Sequence, residues 1–390
     1  MVEGFQAGAA GAGLKRAGEP DLGLIVSNRA AAAAGVFTTN RVQAAPVLLT
    51  RERLKAGTCR AVVVNSGNAN CCTGEQGMAD ACEMARIAAR NLEIPEEEVL
   101  VASTGVIGKP LPMEKIEAAA PGLVRSLSAD GWPDFARSIL TTDTKPKLAS
   151  RRVFLGDASC TIAAAAKGAG MIRPDMATML CFAATDAAVP PGDLQAMLKA
   201  ACDASFNRIT IDGDMSTNDM AILMAGGASG ARLEAEEDRE RFQAALDGLF
   251  VDLAKQMVKD GEGATKLVEV AVQGARTPAE ARRAADTVAN SSLVKTALFG
   301  EDANWGRIMA AVGRSGAMVA PEKIDLFFDA VRLVHRGEWA GAAAEAEAAE
   351  VIRRPEFSIT IDLHIGSCRD FVWTCDFSVD YVRINADYRS

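Results

Sequence analysis

Histidine is almost missing from this chain: two residues, His335 and His364, in a sequence of 390. A Ser-His-Asp mechanism has little to draw on, so a catalytic base would have to be of another kind. In Phe357–Ile365 the apolar residues alternate, which puts His364 on the polar face of a strand with Thr360 and Asp362, a solvated position. No Cys-x-x-Cys occurs among the nine cysteines, even though Cys71 and Cys72 are adjacent. That spacing excludes the common zinc and redox motifs and reads as reduced thiols in a reducing compartment. No apolar run is long enough to span a bilayer, and the first residues lack the basic and apolar parts of a signal peptide. A cytoplasmic protein is expected. Basic residues are outnumbered, 42 against 51, for a net charge of −9. This argues against a nucleic-acid or anionic-membrane partner, but not against a small anionic substrate held by local cations.

What is present fits a globular protein of two or three domains, with 49% hydrophobic and 24% charged residues. Short apolar runs at 22–26, 61–64, 99–102, 179–184 and 209–211 read as strands. Helical spacing marks 78–92, stopped by Pro95, and 193–206. A longer amphipathic helix runs through Phe242, Leu246, Leu249, Phe250, Leu253 and Met257 to a cap near Gly261. Thr277-Pro278-Ala279-Glu280 is a helix start with a capping box, the Ala/Glu-rich stretch at 339–352 reads as a solvated helix or loop, and the tail from Tyr381 is rich in strand formers. Interleaved strands and helices make the class α/β or α+β. A boundary near 285 divides the chain into 1–285 and 286–390.

Three loops have the composition of ligand-binding backbone. Asn65-Ser-Gly-Asn-Ala-Asn70 is a tight turn or an anion nest, and Ser103-Thr104-Gly105 closes a strand with a glycine whose neighbouring N–H groups can face a cleft. Asp260-Gly-Glu-Gly-Ala-Thr-Lys266 lacks the Gly-Lys-Ser/Thr of a P-loop. The acids of 212–219 lack the ligand pattern of a calcium loop, and no metal site is expected. The most distinctive stretch is Lys167-Gly-Ala-Gly-Met-Ile-Arg-Pro-Asp-Met-Ala-Thr-Met-Leu180. A Gly-x-Gly turn and Pro174 deliver the Thr178 hydroxyl at the start of an apolar run. Thr178 is a candidate nucleophile there, or an ordinary β-former leading a buried strand.

This string closely resembles the glutamate N-acetyltransferase / ornithine acetyltransferase family of arginine biosynthesis, and the resemblance extends through Phe37-Thr-Thr-Asn-Arg41 to the C-terminal Ser390. It implies self-cleavage between Ala177 and Thr178, giving an α chain of 1–177 and a β chain that starts at Thr178. The freed amine then serves as the base for the Thr178 hydroxyl, since an α-amine titrates near ~7.7–8.0 and a peptide nitrogen accepts no proton. It further implies that Thr104 and Gly105 form the oxyanion hole, and that Thr141, Lys167, Thr178, Glu262, Asn385 and Ser390 bind substrate. Ser390 stands where the family usually has threonine, and Asp175 where asparagine is expected. The implied fold is a layered α-β-β-α sandwich with a smaller C-terminal α+β domain, and the implied assembly an α2β2 heterotetramer.

The implied reaction moves acetyl from N-acetylornithine to glutamate through acetyl-Thr178, without a metal or organic cofactor. Some members also use acetyl-CoA; the lack of an adenine or pyrophosphate signature and the charge of −9 favour N-acetylornithine as the main donor. Two rival readings use the same residues. An autoprocessed amidohydrolase or aminopeptidase would pass the acyl group to water, and a non-enzymatic anion-binding protein would stay uncut.

Overall fold

A computed structural model describes residues 2–15, 18–173 and 179–387. Asp175, the Ala177–Thr178 junction and Ser390 lie outside the described residues. The chain forms two compact units, one of 2–207 and 214–254, the other of 208–213 and 255–387.

The strands of the first part of the chain are β1 (Phe5–Ala10), β2 (Leu22–Phe37), β3 (Thr58–Asn68), β4 (Val99–Val106), β5 (Lys147–Leu155), β6 (Ala158–Lys167), β7 (Leu180–Thr185), β8 (Ile209–Thr210) and β9 (Met220–Ala225). All but β8 form the sheet of the first unit, in the order β4-β3-β2-β9-β7-β6-β5, with β1 paired to β2. Helices α1 (Ala45–Arg53), α2 (Gly74–Leu92), α3 (Met113–Arg125), α4 (Trp132–Ser138) and α5 (Pro191–Ala204) accompany it, and α6 (Glu236–Lys259) carries the chain onward. Two apolar clusters line the sheet. One joins Leu22, Leu24, Val63 and Val101 to Ala81, Met84, Ala85 and Ala88 of α2 and Ile116 and Leu123 of α3. The other joins Ile25, Val62, Val64 and Leu100 to Phe135 of α4 and Phe182 of β7.

The sequence pattern ends β2 at Val26, yet the strand continues to Phe37. A register shift between Val26 and Ala31 absorbs the polar Ser27-Asn28-Arg29, and Ala32–Phe37 then pairs with β9. Alanine is a weak strand former, so it is the ladder to a fully buried neighbour that decides the conformation. The helix expected at 78–92 is α2, and it stops at Glu93, whose left-handed backbone (φ 55°) ends it before Pro95.

The second unit adds β10 (Leu267–Ala275), β11 (Asp325–Phe328), β12 (Val331–His335), β13 (Glu338–Trp339), β14 (Glu356–Asp362) and β15 (Cys368–Cys375). Their sheet order is β13-β12-β11-β14-β10-β15-β8. Its helices are α7 (Pro278–Ala289), α8 (Ser292–Phe299), α9 (Trp305–Gly313), α10 (Ala342–Ile352) and α11 (Val379–Asp387). Val268, Val270 and Val272 of β10 pack with Ala281, Ala284, Ala285 and Val288 of α7 and with Ile359 and Ile361 of β14. The Ala/Glu-rich stretch is α10, and it is not wholly solvated: Ala348, Val351 and Ile352 are buried.

The capping threonine behaves as its motif requires, Thr277 Oγ1 accepting the Glu280 N–H at 3.2 Å. Thr277→Ala should cost about 1 kcal/mol, read as a lower urea midpoint with an unchanged slope. Two local expectations are corrected. His364 is not on a strand face, because β14 ends at Asp362 and His364 turns away in left-handed backbone (φ 49°). The strand-forming residues of Tyr381–Ile384 lie in helix α11, where Phe377 and Tyr381 stack at 4.6 Å and the Ser378 hydroxyl accepts the Tyr381 N–H at 3.4 Å. The expected α/β class, with two sheets, is what the structure shows.

Candidate active site

Lys167 is the last residue of β6 and is 3% exposed. Across the ladder it pairs with Leu180, the first residue of β7. Its ammonium donates to Thr141 Oγ1 at 2.7 Å and to Thr104 Oγ1 at 3.5 Å. Three residues named from the sequence, far apart along the chain, therefore meet at one buried nitrogen. Thr104 is near the end of β4, and Gly105 follows it in left-handed backbone (φ 132°). Gly105 pairs with Gly67 of β3, and a Cβ at Gly105 would overlap the Gly67 backbone. Only glycine fits such a strand crossing.

Asp143 was not legible as part of this group, yet it organises it. Its Oδ1 accepts from Lys147 Nζ at 2.7 Å and from the Gly168 N–H at 2.7 Å. Its Oδ2 accepts the Thr141 N–H at 3.2 Å and lies 3.7 Å from Lys167 Nζ. Side-chain exposure is 0% for Asp143, 2% for Lys147 and 3% for Lys167. Burial pushes the Asp143 pKa up, but the Lys167 and Lys147 ammoniums and the Gly168 N–H outweigh it and hold the carboxyl well below the usual carboxylate range. Two ammoniums face one carboxylate. Lys147 takes the short contact at 2.7 Å and Lys167 the longer one at 3.7 Å. The only hint in the sequence is the Asp143-x-x-x-Lys147 spacing beside Thr141.

Lys15 is a further cation that pattern reading missed. Its Nζ donates to the carbonyls of Leu140 at 2.7 Å and Ser138 at 3.4 Å, directly before Thr141. The buried Asp21 carboxylate gathers the loop behind it, accepting the N–H groups of Ala12 and Leu14 at 2.6 Å each and of Lys15 at 3.0 Å. Burial lowers the Lys15 pKa against the pull of Glu19 and Asp21, with the Lys167 charge adding to the lowering.

The Asn65–Asn70 cluster turns out to be scaffold. Asn65 Oδ1 accepts from Ser103 Oγ at 2.6 Å, and Asn218 Nδ2 donates to the carbonyls of Ala69 at 2.7 Å and Ser103 at 2.9 Å. Just after Thr178, the Met179 N–H is held by Asp219 Oδ1 at 2.8 Å. The cysteines offer no rival nucleophile among the buried thiols: burial pushes Cys59 up to about 12 and Cys160 up to about 11.

In the second unit the structure brings Glu262 and Asn385 together. Asn385 Nδ2 donates to Glu262 Oε2 at 2.7 Å and to the Tyr381 carbonyl at 3.0 Å. Gly263 takes φ 69°, and a Cβ there would press on the backbone that opens α11, so the glycine lets that helix lie against the loop. Asp376 fixes the other end, accepting the N–H groups of Thr265 at 2.8 Å and Lys266 at 3.0 Å. Glu262 is buried, with one oxygen committed to Asn385.

Residues 6–390 match the ArgJ family. The arginine biosynthesis bifunctional protein ArgJ of Geobacter sulfurreducens is 56% identical over 391 residues, covering 100% of both chains. That of Syntrophotalea carbinolica is 53% identical, covering 100% of this chain and 99% of its own. Among solved structures, the arginine biosynthesis bifunctional protein argJ of Bacillus halodurans is 45% identical, with a TM-score of 0.49, over 52% of this chain and 96% of the solved one. The ornithine acetyltransferase of Mycobacterium tuberculosis, solved in complex with ornithine, is 39% identical, with a TM-score of 0.40, over 44% of this chain and 92% of its own. With a whole-length family match and whole-length relatives above 50% identity, the chain belongs to the ArgJ family of arginine-biosynthesis enzymes.

Proposed function

We propose that this protein transfers the acetyl group of N-acetylornithine to glutamate through an acetyl-Thr178 intermediate, after cutting itself between Ala177 and Thr178. The observation that carries this reading is the buried contact of Lys167 with Thr141 and Thr104, at the end of the strand that leads towards Thr178. In the precursor, Thr178 Oγ attacks the Ala177 carbonyl, the peptide C–N bond breaks, and water opens the resulting ester. The Thr178 α-amine is then free to act as a base.

In the transfer itself this amine accepts the hydroxyl proton as Thr178 Oγ attacks the acetyl carbonyl of N-acetylornithine. Thr104 and Gly105 meet the negative charge that develops on the acetyl oxygen. Collapse breaks the acetyl C–N bond, the amine returns its proton to the leaving nitrogen, and ornithine departs. Glutamate's amine then attacks acetyl-Thr178 and the steps run in reverse, giving N-acetylglutamate. Lys167 pairs with a substrate carboxylate and Thr141 orients it; Glu262, steadied by Asn385, accepts an ammonium, and Ser390 adds a hydroxyl. The cut chains, 1–177 and 178–390, assemble as two of each in the cytoplasm. The designation bifunctional, shared by relatives at 56% and 53% identity, supports acetyl-CoA as a second donor to the same hydroxyl.

The test is incubation with N-acetylornithine alone, followed by peptide mass analysis. One acetyl group is expected on the peptide that begins at Thr178, removed on adding glutamate, with parallel initial-rate plots. Release of acetate at the same rate without glutamate would make the protein an amidohydrolase instead. An uncut, unlabelled chain would leave only the binding-protein reading. Glutamate acetylation rates with acetyl-CoA and N-acetylornithine side by side decide whether one or two donors are used.

A further inference from the structure

The chain's two histidines converge on one carboxylate in the second unit. His335 Nδ1 lies 3.1 Å from Asp325 Oδ1, and His364 Nε2 lies 3.3 Å from Asp325 Oδ2. The same carboxylate accepts the Arg336 N–H at 2.7 Å, and Arg332 Nη1 is 3.9 Å away. Burial would raise the Asp325 pKa, but these donors outweigh it and hold it down. Asp325 is thus engaged within the protein through both oxygens and keeps its negative charge. Around it is a pocket of about 500 Å³ lined also by Glu322, Lys323 and the Arg336 side chain, a volume in the range of small-molecule sites. Arg336 and His364 both hold left-handed backbone, φ 49° each. Such conformations are unfavourable for residues other than glycine and persist only where something fixes them. Here the Asp325 contact fixes one; the other is fixed by the His364 N–H on Asp362 Oδ1 at 3.0 Å and by Gly274, whose carbonyl takes the next two N–H groups.

We propose that this pocket binds a phosphate group, as inorganic phosphate or a small phosphomonoester, and that binding takes up protons on His335 and His364. Asp325 accepts one ring N–H from each imidazole, so protonation adds its new N–H on the opposite side of each ring. Lys323 and the Arg336 guanidinium have no carboxylate at ion-pair distance among the described residues and are available to an anion. The opposing charges are Asp325 itself and Glu322 in the lining, Glu338 paired with His335 in the ladder to β13, and Asp362, 3.5 Å from His364 Nδ1; protonating both imidazoles is what offsets them. Asp362 is occupied by the Gln273 amide at 2.7 Å as well as by His364 N. None of these residues belongs to the acetyl-transfer assignment, so this inference stands apart from it.

With two histidines in the chain, ¹³Cε1-labelled imidazoles give two NMR signals that report the site directly. Titrating the intact protein with inorganic phosphate should shift both signals with one common saturation curve and raise both titration midpoints. Binding should be about tenfold tighter at pH 6 than at pH 8. Adenosine monophosphate binding more tightly than phosphate would place a phosphomonoester in the pocket; equal or weaker binding would make inorganic phosphate the ligand. Arg336→Ala with Lys323→Ala should abolish the saturable shift while circular dichroism stays unchanged. Shifts no larger than those from sodium chloride at matched ionic strength would overturn the proposal, and so would saturation that survives the double substitution.

Discussion

Thr178→Ala is expected to run as a single 390-residue chain and to lose acetyl transfer by on the order of 10⁴-fold or more, because one substitution removes both the attacking oxygen and the group that cuts the chain. The variant should still fold, since it only trims a small side chain ahead of the apolar run that forms β7. Thr178→Ser is the control that should keep both functions. It keeps an oxygen nucleophile and, once cut, an α-amine, so it should appear as two chains and retain measurable transfer. Denaturing electrophoresis and intact mass read the cut, and N-acetylglutamate formation reads the chemistry. A Thr178→Ala protein that transferred acetyl at the wild-type rate would refute the nucleophile assignment. A wild-type enzyme found fully active as one uncut chain would refute the amine as base.

Asp143→Asn is expected to be the most damaging change among the described residues of the first-unit site, at roughly 3–5 kcal/mol, the cost of leaving buried charge without its partner. The reason is that Lys147 and Lys167 would face a neutral amide where the Asp143 carboxylate stood. Replacing Lys147 by Met in the same chain should recover a good part of the loss by removing one of the two ammoniums. The pH dependence follows from the sign of the shift. Asp143 is held below the ordinary carboxylate range, so its contribution is fully present above pH ~3.9 and is lost as acid is added through its lower folded value. Urea midpoints of wild type and Asp143→Asn should therefore differ most near neutrality and converge in strong acid. A difference under about 0.5 kcal/mol at pH 7, the scale of an ordinary surface substitution, would show that Asp143 is not the counter-charge of the two lysines.

Much of the chemistry was legible one residue at a time. Lys167, Thr104 and Thr141 were named through the family resemblance, and the structure joins them within hydrogen-bond reach. Glu262 and Asn385 were named from different ends of the second unit and meet at 2.7 Å. Helices with a clean period, such as α2 and α5, were placed to within a few residues, because burial of one face repeats in the sequence at the helical spacing.

Local pattern failed where a distant partner outvoted it. The alanine-rich half of β2 is a strand because β9 lies beside it; by itself it has little preference for one. The C-terminal Tyr-Val-Arg-Ile is helical because Phe377 and Tyr381 stack one turn apart. His364 read as a solvated strand residue because the alternation around it is real up to Asp362, and the bend that sends it to Asp325 is held by the Gly274 carbonyl, distant in sequence. Asp143 carried only its spacing to Lys147 and Lys15 no signal, since a buried charge is recognised by what surrounds it. The sequence by itself determined the family, the candidate nucleophile and the identity of the polar groups, because these are properties of residue type and order. Only the tertiary structure decided which charges share a buried space, since pairing energies depend on separation and dielectric, and neither is written along the chain.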